Sequence, residues 1–142
     1  GLAALYEQTK QINKALKYWE KSLKLNPYAW RPAQALGRLC IERGDLTKAE
    51  KYVKKAIRIN PNDFYSYFLL GNIYEKKGEL PRAGKLYRKA IVLNPKWFYP
   101  HYALSKVYLK LKDSRFTGEL KEAIQLNPRF KPALRLWQAV YK

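Results

Sequence analysis

Two side chains carry chemistry by type alone, the thiol of Cys40 and the imidazole of His101, and each is the single residue of its kind. A zinc site needs about four N or S ligands, and a nucleophile needs a base beside it, so one Cys and one His assemble neither. A second group stands out by spacing. Arg31, Gln34 and Arg38 are followed 34 residues later by Tyr65, Phe68 and Asn72, and again by Tyr99, Tyr102 and Lys106. Each set steps by three and then four residues, which places its members on one face of a helix. Such a mixture suits recognition: aromatic rings offer contact area at low entropic cost, a carboxamide both donates and accepts, and cations pair with carboxylates.

What positions these sets is a repeat. Leu25-Asn26-Pro27, Ile59-Asn60-Pro61, Leu93-Asn94-Pro95 and Leu126-Asn127-Pro128 space their prolines by 34, 34 and 33 residues, the period of a helix-turn-helix unit. Leu36-Gly37 matches Leu70-Gly71 and Leu104-Ser105, Ala49 and Ala56 match Ala83 and Ala90, and Gly44 and Gly78 share one turn position. Small residues let paired helices approach, and Val53 and Tyr87 fill the space beside them. The pattern predicts helices over 30–43 and 46–59, 64–77 and 80–93, and 98–111 and 114–126. Proline closes each unit because the helix cannot continue through it. Pro32, Pro81 and Pro100 fall in first turns, where a missing N–H costs little.

These residues resemble the tetratricopeptide repeat family, whose units carry a Leu-Gly pair and an aromatic in helix A, small residues in helix B and a closing Pro. The middle unit matches most fully, with Tyr67, Leu70, Gly71, Tyr74, Gly78, Ala83, Tyr87, Ala90 and Pro95. The resemblance covers essentially the whole chain and implies an all-α fold, a right-handed superhelix or solenoid of helix-turn-helix units. Its units run over 1–29 (partial), 30–63, 64–97 and 98–130 (degenerate). Segment 131–142 reads either as a capping helix or as the start of a further repeat, with Leu134, Trp137 and Tyr141 on one face. The partial unit retains Leu2, Ala3 and Tyr6 of helix A, then Ala15, Trp19 and Ser22 of helix B, and a solenoid cut within a repeat reads as part of a longer protein. Cys40 replaces the helix-A aromatic. The degenerate unit is one residue short, with Ser105 for Gly, Phe116 for Ala and Lys112-Asp113 at the turn, so its two helices are expected to meet at a distorted angle.

Composition narrows the function classes. The 142 residues hold 29 Lys and Arg against 11 Asp and Glu, a net charge of +18, with 47% hydrophobic residues. That is too apolar for a disordered basic tail, and the cations interrupt every stretch that would approach the ~18 apolar residues of a membrane span. The N-terminus has no signal-peptide pattern, which leaves the compartment open. No Gly-rich phosphate loop, catalytic carboxylate pair or Ser/His/Asp set is present, His101 has no evident partner in sequence, and the chain reads as non-catalytic and without a cofactor.

In a stacked array the A helices line the concave side, which makes Arg31, Gln34, Arg38, Tyr65, Phe68, Asn72, Tyr99, Tyr102 and Lys106 the expected peptide groove. An extended or helical partner segment with acidic and apolar residues would fit it. The Lys/Asn clamp with which some members grip a chaperone's C-terminal carboxylate has no match on Gln34, Arg38, Leu69, Tyr99 and Ala103. The larger share of the cations falls on the B helices, at Lys17, Lys48, Lys51, Lys54, Lys55, Arg82, Lys85, Arg88 and Lys89, and stacking would gather them into one convex basic field. Such a field is either solvated surface or an attraction for an anionic partner, membrane surface or nucleic acid. Nucleic acid is the weaker choice, since single-strand binders combine stacking rings with cations on one surface and here the two separate. The exposed repeat ends also offer a route to end-to-end self-association.

Overall fold

The computed structural model describes residues 2–141, which form eight α-helices and no strand. These are α1 (Leu2–Leu25), α2 (Trp30–Arg43), α3 (Leu46–Ile59), α4 (Phe64–Lys76), α5 (Leu80–Leu93), α6 (Phe98–Lys110), α7 (Phe116–Leu126) and α8 (Lys131–Val140). Each packs on the next in chain order, and α2 also touches α4. The result is an all-α solenoid whose core is strung along the stack, with α2, α4 and α6 as A helices and α3, α5 and α7 as B helices.

The turns explain why helices stop where they do. Gly44 and Gly78 sit in the left-handed region at φ 81° and 83°, where a side chain would be strained. Their amides donate to Ile41 O and Glu75 O, and the next residues, Asp45 and Glu79, donate to Cys40 O and Tyr74 O. These bonds satisfy the last carbonyls of α2 and α4. At the other end of each unit the Asn before Pro does more than precede a helix breaker. Its N–H still closes the helix, as from Asn60 to Ala56 O and from Asn94 to Ala90 O, while its side-chain oxygen accepts from the amide two residues on. Asn26 and Asn127 make the same side-chain turn, to Tyr28 and Arg129.

Packing depends on the matched small residues. A Cβ added to Gly71 would lie 2.6 Å from Cε1 of Tyr87, so the bare backbone of α4 is what lets the fully buried Tyr87 ring of α5 lie across it. Val53 occupies the same position against Gly37. Ala49, Ala56, Ala83, Ala90 and Ala123 are all fully buried at the helix contacts.

Three sequence expectations change. First, the partial unit has no turn: residues 2–25 form one continuous helix, and Lys10-Gln11 stands there where Gly44-Asp45, Gly78-Glu79 and Lys112-Asp113 turn the chain. Leu2, Leu5 and Tyr6 are therefore exposed, while Ile12, Leu16, Trp19 and Leu23 farther along α1 pack into the core. Second, α7 begins at Phe116, two residues later than expected. The missing residue is absorbed in a turn where Asp113 accepts from the Arg115 amide and guanidinium, which hold its carboxyl at about 2. Third, His101 has partners. Its ring nitrogens lie 2.7 Å from Glu119 Oε2 on α7 and 3.1 Å from Pro95 O.

Candidate peptide-binding groove

The groove is built from the A helices outward, and its first section is polar. Asp63 precedes α4 and accepts from the Ser66 amide as an N-cap. The Gln34 carboxamide of α2 donates to the same Asp63 carboxylate and, at 2.9 Å, to Ser66 Oγ. Gln34, expected as a ligand contact, is thus bonded across α2 and α4. Arg38 pairs with Glu42 at 3.0 Å one turn on, with both side chains more than two-fifths exposed, and Arg31 is exposed with its guanidinium 5.3 Å from the Trp30 ring.

The next section is aromatic. Trp97, the residue before α6, stands in the column that Asp63 occupies one unit earlier and fills with a ring what Asp63 fills with a carboxylate. Its centroid lies 4.8 Å from Phe68, 5.4 Å from Phe64, 5.8 Å from Tyr65 and 6.2 Å from Tyr99. Phe130 before α8 repeats the arrangement against Phe98, Tyr99 and Tyr102. These pairs are mostly tilted or edge-to-face, the geometry aromatic quadrupoles favour. Phe68, also expected as a contact, is only 5% exposed and forms the floor. Tyr99 is 38% exposed at the mouth, and Tyr65 and Tyr102 are half-buried.

Between α4 and α6 these rings border a cleft of about 500 Å³ whose polar edge is Asn72, Glu75, Lys76 and Lys106. Burial and the adjacent Glu75 carboxylate push the Tyr87 phenol far above its ordinary pKa, so it remains a donor. Its hydroxyl is 2.7 Å from both Glu75 Oε1 and Asn72 Oδ1, and its single proton serves one at a time. Lys106 lies over the Tyr102 ring at 4.8 Å. Tyr65, Phe68, Asn72, Tyr99 and Lys106 thus line one cleft, whereas Arg31, Gln34 and Arg38 lie on α2 outside it, and Tyr102 sits beside it under Phe130. Sequence reasoning missed Trp97, Glu75 and Lys76. Trp97 belongs to a loop rather than a helix face, and the signal for it was the recurrence of an aromatic at the last position before helix A, in Trp97 and Phe130.

On α1, α3 and α5, Lys17, Lys48, Lys51, Lys54, Lys85 and Lys89 are exposed. Two members of the expected basic field bond neighbouring tyrosines. Arg82 donates to Tyr74 OH at 3.0 Å with its guanidinium 4.2 Å over the ring, and Arg88 donates to Tyr108 OH at 3.0 Å. They tie α5 to α4 and α6 and keep their positive charge, since a tyrosine hydroxyl is neutral; Arg82, with its side chain 57% exposed, also pairs with Glu79 at 3.2 Å. Lys55 is half-buried, and Lys89 lies 5.8 Å from the Tyr67 ring. Glu50 holds Lys54 at 3.8 Å and Lys77 at 3.4 Å; burial opposes its ionisation, but a Tyr74 hydrogen bond and the two lysines outweigh this and lower its pKa.

Among the described residues no cluster of His, Cys, Asp and Glu is placed to hold a metal ion, and no helix is long and apolar enough to cross a membrane. Cys40 is buried, and that burial raises its thiol pKa, which leaves it a poor nucleophile.

Comparison with known proteins places this geometry. A family model described as TPR repeat matches residues 37–78 and 71–112, and one described as tetratricopeptide repeat matches residues 1–28. No curated protein matches the sequence. Among solved structures, a crystal structure of MamA superposes with a TM-score of 0.80 at 22% identity, covering 89% of this chain and 75% of that one. A structure titled MamA RS-1 ArsTM double mutant gives 0.76 at 20% identity over 86% and 69%, and one titled MamA MSR-1 C2 gives 0.71 at 22% over 87% and 72%. At these identities the likeness is one of fold.

Proposed function

The chain belongs to the tetratricopeptide repeat family, and from that premise we propose that it is a non-catalytic interaction module that holds a segment of a partner protein along the faces of α2, α4 and α6. The observation that carries this reading is the α4/α6 cleft, where aromatic rings, an amide and two lysines converge on one concavity. Concave, mostly apolar clefts with a few convergent polar groups are where proteins bind ligands. The groove changes character along the stack, from Arg31 and Arg38 on α2 to rings on α4 and α6, so a segment lying across it meets charge at one end and apolar surface at the other.

The test is capture of partners by the chain and by a variant carrying Arg38→Ala, Tyr65→Ala, Tyr99→Ala and Lys106→Ala. These positions are at least partly exposed, which keeps the fold, and Phe68 is left intact because it is floor. Loss of capture with unchanged helicity supports the groove; unchanged capture removes it.

A second reading has its own observation, the row of exposed lysines on α3 and α5, which would dock the opposite face on an anionic surface. A charge-driven contact weakens steeply with salt, whereas binding in the aromatic cleft responds mildly. Reversal of Lys51, Lys54 and Lys85 with the groove intact separates the two.

A further inference from the structure

The α4/α6 cleft restricts its occupant more narrowly than the groove as a whole, and this inference rests on the groove reading above. Its apolar part is a bowl. Trp97 meets Phe68 at 65° and Tyr65 at 56°, and Tyr99 meets Phe68 at 86°. Rings at such angles present faces and edges around one volume, which accommodates a bulky side chain entering end-on. Two pairs lie nearer to parallel, Tyr65 with Phe68 at 21° and Trp97 with Tyr99 at 30°, each with centroids 6.2 Å apart.

The polar edge selects charge. Its one carboxylate, Glu75, already accepts from the Tyr87 hydroxyl, and Asn72 turns its oxygen to the same phenol. The Nδ2 group of Asn72 makes no hydrogen bond among the described residues. Lys76 is exposed and Lys106 is half-buried with its ammonium 4.8 Å from the Tyr102 ring, and neither has an ion pair among the described residues. The Glu75 and Asn72 oxygens share the one Tyr87 proton, and with two ammonium groups against one carboxylate the polar edge carries a net positive charge. A cationic guest, which aromatic faces attract in the absence of competing charge, would meet two ammonium groups here. A carboxylate meets both lysines and an amide donor.

We infer that the cleft is an anchor socket for one bulky aromatic or leucine-sized side chain of a partner segment, flanked in that segment by acidic residues that Lys76, Lys106 and the Asn72 amide hold. The apolar side chain supplies affinity by leaving water, and the carboxylates set its direction and exclude basic segments.

The experiment uses a short, terminally blocked fluorescent peptide with one Phe between two Glu-Glu pairs, titrated by anisotropy into the intact chain. Replacing the peptide's Phe by Ala should weaken binding by about tenfold or more, as expected for loss of a buried anchor. Replacing its Glu residues by Lys should abolish binding. On the protein, Tyr99→Ala should weaken binding by about tenfold, and Lys76→Glu with Lys106→Glu by at least as much, because repulsion replaces attraction. The lysine pair serves as the second route should Tyr99→Ala disturb the fold, since both are surface side chains. Equal binding of the Phe and Ala peptides overturns the socket, as does no binding of the Phe peptide at millimolar concentration. Displacement by an oligouridine that depends on Tyr99 overturns it in favour of a base-binding cleft. If the socket variants bind the peptide normally while Arg31→Glu with Arg38→Glu abolishes binding, the socket is wrong and the groove reading stands. If none of these changes alters binding, both fail.

Discussion

The α4–α5 pair and the α6–α7 pair close the same hydrogen-bonded turn with different residues, and the difference shows which features of a unit are chemical and which are geometric. In the first, Gly71 yields to Tyr87; in the second, Ser105 stands in the glycine's place and the smaller Leu120 in the tyrosine's. Loss of space on one helix is matched by a smaller side chain on the other, and both positions remain fully buried. Gly78 turns left-handed in the first, and Lys112 does so in the second at φ 57°, with Lys112 and Asp113 donating to Leu109 O and Tyr108 O as Gly78 and Glu79 do to Glu75 O and Tyr74 O. Tyr67 reaches back to Pro61 O at 2.8 Å, and His101 reaches back to Pro95 O from the same column. His101 then adds a bond to Glu119 that its counterpart lacks. The hydrogen-bonded frame is kept, and the groups that satisfy it are exchanged.

The largest effect expected from breaking this comparison is at the filled position. Tyr87→Ala removes a fully buried ring and its hydroxyl bonds and should cost about 4 kcal/mol in urea unfolding, against about 3 kcal/mol for Leu120→Ala. Gly71→Ala comes next. It drives a methyl into Tyr87 and should cost roughly 2 kcal/mol, while Ser105→Ala, where the Cβ already fits, should cost under about 1 kcal/mol. The double change Gly71→Ala with Tyr87→Leu should then destabilise by less than the sum of the singles, because the smaller side chain returns the space; strict additivity would break the compensation argument.

The histidine sharpens the comparison through pH. Both its ring nitrogens face acceptors, a carboxylate and a carbonyl, so the imidazolium is the form that satisfies both. Burial lowers its pKa, but the Glu119 hydrogen bond, the Pro95 carbonyl and the charges of Glu119 and Glu122 outweigh burial, and the net shift is upward. A folded pKa above the unfolded one means that the stabilisation is complete below the unfolded value and is lost as pH rises through the folded value. As pH rises from the ordinary histidine range upward, the native chain should therefore lose Tm relative to His101→Gln, a difference read by scanning both proteins in matched buffers. A pH-independent gap between them would mean that the pair is held without charge. The smallest effect is at the turn: Lys112→Gly should stabilise by about 0.5–1 kcal/mol, since a left-handed backbone costs glycine nothing, and Gly78→Lys should destabilise by a similar amount.

Much of the fold was legible because its determinants recur locally. Asn-Pro closures, left-handed glycines and matched small residues act within one unit and repeat in the next, so α2 to α6 begin where the period places them. The departures also have local causes that a period does not reveal. A helix continues unless something breaks it, so α1 runs unbroken through Lys10-Gln11, and a one-residue deletion is absorbed in the turn at Asp113–Arg115. Less of the site was legible. Helix-face spacing found Tyr65, Phe68, Asn72, Tyr99 and Lys106, but it could not say that Phe68 is floor, that Gln34 is spent on Asp63, or that Trp97 closes the bowl from a loop.

The sequence by itself determined the period and the helix pairing, because each follows from contacts within a unit or with its copy one period away; the separation of rings from cations that it suggested does not hold in the α4/α6 cleft, where Lys76 and Lys106 stand beside the rings. Only the tertiary structure decided which polar groups remain free. Arg82 and Arg88 are tied to Tyr74 and Tyr108, Glu75 accepts from Tyr87, and Lys76 and Lys106 have no ion pair among the described residues. The physical reason is that a side chain's hydrogen-bonding capacity is finite and is filled first by the neighbours that folding brings within about 3 Å, and those neighbours come from helices that no spacing rule connects.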